Sequence, residues 1–288
     1  MGDLVLQQLA NSLSVGMTYA LIALGLTMVF GVLHIVNFAH GEFYMLGGLV
    51  TALLTSRAGV PYLACLPAAA ILVAAAGWAT DRLAVRPVIG RPDGATIVLV
   101  ATFAAGLIIN ETVLATLGPA PIRVDGIAGV VKLGPVSLTW QRIFAIVFGI
   151  LLIAIFQIIL RRTEFGRQLR AVAQSDYASR VIGLDVERIK SLTFILAACV
   201  AALAGALIAP ILSFNAGMGY HTAIHGFVVV VIGTMGSIPG AVICGLGLGL
   251  LESVASIFIG QEIASACIYA LLIVTLLFRP NGVFSRSA

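Results

Sequence analysis

Apolar residues come in long unbroken blocks along this chain, and the polar ones gather between them. Six blocks, 9–33, 63–85, 95–117, 143–160, 191–212 and 263–278, are close to or above the about 20 residues that a helix needs to cross hydrocarbon. Two further blocks are broken. Residues 36–55 are interrupted by Asn37, His40, Gly41 and Glu42, and the remainder, 43–55, is too short to cross alone. Residues 225–252 are interrupted by Gly233, Gly236, Ser237, Pro239 and Gly240. The pattern predicts an all-α, polytopic transmembrane helix bundle of about eight membrane segments, including a re-entrant or broken hairpin.

Composition sharpens this reading. With 60% hydrophobic and 10% charged residues the chain falls outside the soluble range, and 1–288 reads as a single transmembrane domain. The net charge of +4 is spread by loop and not clustered with aromatics, so the expected partner is the lipid bilayer and no nucleic acid. No basic stretch precedes the first block, which therefore reads as a retained span and not a signal peptide. The Pro- and Gly-rich stretch 118–140 has room for a short hairpin but not for a domain. The four cysteines stand alone in apolar runs and read as small core residues.

Charge also sets orientation. If the loop 81–94, the segment 161–190 and the tail from Arg279 share one side, that side holds twelve of the sixteen Lys and Arg residues. The other side keeps Arg57, Arg123, Lys132 and Arg142. The positive-inside rule then places the C-terminus in the cytoplasm and the N-terminus outside. With 215–220 and 259–262 both external, the block between them goes in and returns. Residues 225–235 make about 16 Å of helix, about half a bilayer, so a half-helix hairpin is expected, with two short crossings as the other reading.

The segment 161–190 is the one long charged run, holding seven of the Lys and Arg residues and four of the acids. It must lie in water, because a charge at mid-membrane costs about 2.5 to 3.5 kcal/mol. Ser175 is placed to cap a short helix, Gly183 to end it and Asp185 to begin the next. Leu169, Val172 and Ala173 recur at helical spacing and give one short helix an apolar face. A solvated loop joining two spans is the alternative.

Broken spans point to a substrate path, because unpaired backbone at membrane depth survives only where protein or a watery cavity meets it. Asn37, His40, Gly41 and Glu42 are expected to face Gly233, Gly236, Pro239 and Gly240 across such a path. Glu42 has a second reading, as a helix cap at the interface or the partner of a basic residue from another subunit. Glu111 and Glu252 lie well inside apolar spans and are expected to face protein. His221 and His225 have the spacing of a metal pair, but no HExxH accompanies them and no metal is expected. There is no G-x-S-x-G elbow, so an enzyme is not expected. Neither of the two lysines follows a glycine, so no P-loop can be written. Any ATP-driven motion must come from another polypeptide docked on the charged segment.

VNFAHGEFYMLGG (36–48), TEFGRQLRAVAQSDYASRVIGLDVERIK (163–190), GFVVVVIGTMGSIPGAVICGLGLGLLE (226–252) and LLFRPNGVF (276–284) closely resemble the smaller, LivH-type permease subunit of branched-chain amino-acid ABC importers. The likeness covers essentially the whole chain. It implies a bacterial inner-membrane permease that works with a second, LivM-like permease, two cytoplasmic ATPases that bind ATP and Mg, and a periplasmic amino-acid-binding protein. It further implies that the region matching Phe165 to Gly183, including Gly166, Arg167, Arg170, Ala171 and Asp176, is a coupling segment resting on the ATPase. The substrate implied is a branched-chain or other small neutral amino acid, with urea or short amides as the alternative. A channel or secondary transporter would also have broken helices, but would not need this charged segment.

Overall fold

The computed structural model describes residues 2–89, 91, 93–280 and 282–284. Asn281 and Arg286, which belong to the expected basic tail, lie outside the described residues. Among the described residues eleven α-helices follow one another: α1 (Gly2–Leu33), α2 (His40–Ser56), α3 (Tyr62–Thr80), α4 (Gly94–Leu117), α5 (Trp140–Arg162), α6 (Glu164–Gln174), α7 (Asp176–Val181), α8 (Val186–Leu212), α9 (Met218–Ile232), α10 (Ile238–Ile259) and α11 (Gln261–Phe278). A π-helical turn, Asp81–Val85, extends α3. Seven of the described helices are long and apolar enough to cross a membrane, and α2 and α9 are shorter. The protein is an all-α, multi-pass membrane bundle.

Helix α1 is the central post. From Val15 onward it is largely buried and almost entirely apolar, as a helix surrounded by others must be, and it packs against α5, α8, α9 and α10. Small residues let the backbones close up. A Cβ added at Gly245 of α10 would sit 2.6 Å from the Ala20 Cα, and one at Gly249 would collide with Gly16. The Gly245-x-x-x-Gly249 pattern is thus a helix crossing, the arrangement that favours association where no hydrophobic effect acts between helices. Helices α2 and α8 cross in the same way, Gly47 against Ala202 and Gly205 against Tyr44.

The two ends of the bundle differ in chemistry. At one end Gln7 exchanges hydrogen bonds with the Ser137 backbone (2.7 and 2.8 Å), Arg142 Nη1 donates to Asn11 O (3.0 Å), and Ile122 pairs with Phe214. Here lies the expected hairpin, β1 (Val130–Leu133) antiparallel to β2 (Val136–Thr139), turning through Gly134 at φ +62°. The other end carries α6, α7, the π turn and the α9–α10 turn. Val283 N donates to Ile232 O (2.8 Å) and Phe284 N to Thr234 Oγ1 (3.1 Å), so the described end of the chain closes over that turn.

The second broken block differs from its expected form. Helix α9 begins at Met218, seven residues before His225, because nothing between them breaks a helix and Gly219 packs closely on Gly41. After the break, α10 runs on as a full-length span. The hairpin is therefore one short helix and one complete crossing.

Candidate functional site

Beyond Leu33 the chain does not leave the bundle. His34 turns it with φ +54°, and residues 35–39 climb back beside α1, until the fully buried His40 ring lies against Gly25. Phe38 N finds Thr102 Oγ1 of α4 at 3.3 Å, and Asn37 Oδ1 accepts from Ala39 N at 3.0 Å. Side chains thus satisfy backbone groups that the break between α1 and α2 leaves without helical partners. Helices α2 and α9 both start here, and their first turns touch where Gly41 meets Gly219. Neither Ala39 nor Gly217 caps its helix with a side chain, so two N-terminal ends, each carrying partial positive charge, converge beside Glu42.

Three cavities follow α9 along its length. The first, about 280 Å³, is lined by Asn37, Glu42, Phe103, Leu107, Tyr220 and Phe227 among others. The second is about 10 Å³, room for one water at most, and is closed in by Phe30, Phe227, Val230 and Met235. The third, about 780 Å³, opens among Arg161, Arg170, Gly236 and Pro239 at the charged end. Leu26, Val36, Asn37 and Phe227 belong to both the first and second cavities, and Met235 to the second and third.

Of the residues expected along a path, Asn37 and Glu42 line the first cavity, and Gly236 and Pro239 the third. The two groups therefore lie in series along α9 and do not face each other. His40 and Gly41 sit behind the first cavity as packing residues of α2. Gly233 and Gly240 cross backbone on backbone, since a Cβ at Gly233 would lie 2.7 Å from the Gly240 carbonyl oxygen. Glu42 is held by Asn110 of α4, whose Nδ2 donates to Oε2 at 3.2 Å and to Ala216 O at 2.8 Å. Asn110, Tyr220 and the apolar wall had no sequence signal, because they come from separate helices. Glu111 is exposed on α4 and does not face the interior of this chain.

In the charged segment the caps stand where the sequence puts them. Ser175 accepts from Ala178 N (3.2 Å), Asp185 from Arg188 N (3.0 Å), and Gly183 turns at φ +85°. Gly166 packs against the carbonyls of Ile159 and Leu160, Phe165 rests against the core, and Ala171 is half-buried. Arg170 donates to the Leu160 carbonyl and so caps the end of α5. Asp176 pairs with Lys190, and Arg180 with Glu187 at 2.6 Å, fastening α7 to α8. Arg167 stays exposed beside Glu164. The unexpected feature is apolar: Tyr177, Val181 and Ile182 are 79%, 69% and 71% exposed.

Glu252 is buried among α1, α9, α10 and α11. Its Oε2 accepts from Tyr19 (2.9 Å), and its Oε1 from Gln261 (2.9 Å) and Ser265 (2.6 Å). His225 stacks on Tyr19 and brings Nε2 to 3.3 Å from Oε1, while its Nδ1 faces the His221 carbonyl at 2.8 Å. Nδ1 therefore carries a proton and donates to that carbonyl, while Nε2 lies beside the carboxylate without a hydrogen bond. The carboxylate ties the short helix α9 to its neighbours. Glu252→Leu is expected to destabilise the protein by about 3 kcal/mol, stranding its donors, against about 1 kcal/mol for Ser265→Ala. Thermal unfolding in detergent checks the order; equal midpoints for wild type and Glu252→Leu would refute the tie.

Comparison with known proteins agrees with this architecture. A family model described as branched-chain amino acid transport system, permease component, matches residues 8–276. The chain is 33% identical to the high-affinity branched-chain amino acid transport system permease protein LivH of Salmonella typhimurium, over 98% of this chain and 96% of that one. The corresponding BraD protein of Pseudomonas aeruginosa is 33% identical with the same coverage. Similarity extends to the permease protein LivM of Escherichia coli, at 27% over 93% of this chain and 68% of that one.

Proposed function

Because this chain belongs to the branched-chain amino acid transport permease family, we propose that it moves branched-chain or other small neutral amino acids inward through the bilayer. It is a membrane permease subunit of an importer and not an enzyme. In this reading a periplasmic binding protein delivers the amino acid, two separate cytoplasmic P-loop ATPases supply the work, and a second, LivM-like permease completes the pathway. The end bearing α6 and α7 faces the cytoplasm, with the C-terminus, and the end bearing the β-hairpin faces outward, with the N-terminus.

The observation that carries the ATP-driven reading is the exposed triad Tyr177, Val181 and Ile182. It lies in a segment whose charges require water, and large apolar side chains grouped in water mark a surface meant to be covered. The ion pairs from α7 to α8 hold it rigidly on the span that forms the α2 crossing, so a push on α7 reaches the core of the bundle. We assign the ATPase contact to this face, with Arg167 at its edge. Phe165, Gly166, Arg170, Ala171, Asp176 and Gly183 shape the segment that presents it.

Glu111 supports a second permease. It lies six residues, about 9 Å, inside the outer end of α4 on a face that this chain leaves open. A carboxylate there is poorly tolerated by lipid and calls for protein or water beside it. The first cavity opens on the neighbouring surface, where Phe103, Leu107 and Tyr220 are about half exposed. The test is affinity isolation of the tagged chain from its native membrane in mild detergent, with mass spectrometry of what accompanies it. A P-loop ATPase and a related permease in stoichiometric amounts are expected; recovery of the chain alone would contradict the assignment.

A further inference from the structure

We propose that the cavity beside Glu42 is the resting place of the amino acid in transit, with Glu42 holding its α-ammonium group and the aromatic and aliphatic wall holding its side chain. The proposal rests on the importer reading above and adds a position and a chemistry to it.

Glu42 is only 8% exposed, and its hydrogen bonding is one-sided. Among the described residues its single hydrogen bond comes from Asn110, to Oε2. Oε1 is left for a donor that the chain itself does not supply. A buried carboxylate is costly unless a cation or several donors meet it, and an ammonium group entering the cavity does both. The wall opposite is apolar, built from Phe103, Leu107, Ile224 and Phe227, and suits a branched hydrocarbon side chain through area and not through directed bonds. About 280 Å³ is at the small end of ligand pockets and fits one such molecule. The first turns of α2 and α9 meet beside Glu42, and with His40 N, Glu42 N and Met218 N already bonded to Asn37 O, Ala39 O and Asn215 O, what they offer a carboxylate is the partial positive charge of two helix starts.

A zwitterion with an aliphatic tail satisfies all three features together. An uncharged amide would leave Oε1 without a cation, and a sugar would place hydroxyls on the apolar wall.

The same geometry assigns an inner closure. Beneath the cavity, Phe30, Phe227, Val230 and Met235 leave room for no more than a water, and beyond them lies the wide cavity at the charged end. Phe227 belongs to both the wall and the closure. Helix α9 also ends at the turn covered by Val283 and Phe284, so a small shift of α9 opens the closure toward the cytoplasm.

The test uses the complete transporter in vesicles, with binding protein outside and ATP inside, reading labelled leucine and labelled alanine; each variant complex is first checked for intact subunit stoichiometry by size exclusion. Glu42→Gln keeps the acceptor for Asn110 and removes the charge, and is expected to lower uptake of both amino acids at least tenfold. Leu107→Trp, on the half-exposed wall, is expected to lower the leucine-to-alanine ratio at least fivefold while alanine uptake persists. Wild-type rates and ratio in both variants, in a system where the wild-type chain transports leucine, would place the amino acid elsewhere and leave the importer standing. Leucine uptake absent from the wild-type complex itself would overturn the amino-acid reading, and this site with it.

Discussion

Gly205→Leu is expected to abolish the folded permease. At the crossing of α2 and α8 a Cβ on Gly205 would collide with the carbonyl oxygen of Tyr44, and one on Gly47 with the carbonyl of Ala202. The obstruction is backbone on both sides, so no side chain can swing away to make room. Overpacking a close-packed interior costs about 3 kcal/mol or more when the backbone must move, and in lipid no hydrophobic gain between helices compensates. A membrane bundle of marginal stability does not survive this. The check is the monodisperse fraction on size exclusion after mild solubilisation, expected to fall at least tenfold. Gly247→Ala is the control: a Cβ there meets nothing within 4 Å, and alanine favours the helix. A wild-type profile for Gly205→Leu would refute the close crossing of α2 and α8.

The double change Tyr177→Asp with Ile182→Asp is expected to sever the chain from its ATPase while leaving the bundle intact. Both residues are largely exposed, so the fold loses little, whereas the centre of an interface loses about 2 kcal/mol or more for each buried anchor removed. At least a tenfold fall in recovered ATPase and in ATP-driven uptake follows. Arg167→Ala is expected to change either by much less, since an exposed ion pair of this kind contributes about 1 kcal/mol or less. Undiminished ATPase recovery with the double variant would remove α7 from the docking face.

The contrast between these two residues and Arg170 shows where a sequence can be read. Local signals survived folding because they act locally. Ser175, Asp185 and Gly183 cap and turn as their types require, since a cap needs only the next three residues. Small residues such as Ala202, Gly205, Gly245 and Gly249 stand at helix crossings because close approach needs only a missing side chain, whatever the partner. Block length alone marked six of the seven described helices that are long enough to cross, and the seventh, α10, came out of the second broken block.

What was hidden depended on distance along the chain. Arg170, readable only as a surface cation, turns back to the Leu160 carbonyl. His40 occupies a position that resembles a path residue, yet Gly25 of α1 leaves a space that its ring fills. The start of α9 at Met218 is set by Gly219 against Gly41, a contact between segments nearly two hundred residues apart. Asn110 meets Glu42 across an equally silent gap. The broken blocks told which segments would build a cavity, but not that their residues would stand one above the other.

The measurement that tests the central claim most directly is uptake of labelled leucine and labelled urea by vesicles containing this chain with its co-isolated subunits and added binding protein, with and without ATP. Leucine accumulation that requires ATP, binding protein and the intact chain together is the expected result. Leucine or urea entry without ATP or partners, at the rate seen with them, would contradict an ATP-driven importer and make the chain a channel or secondary transporter.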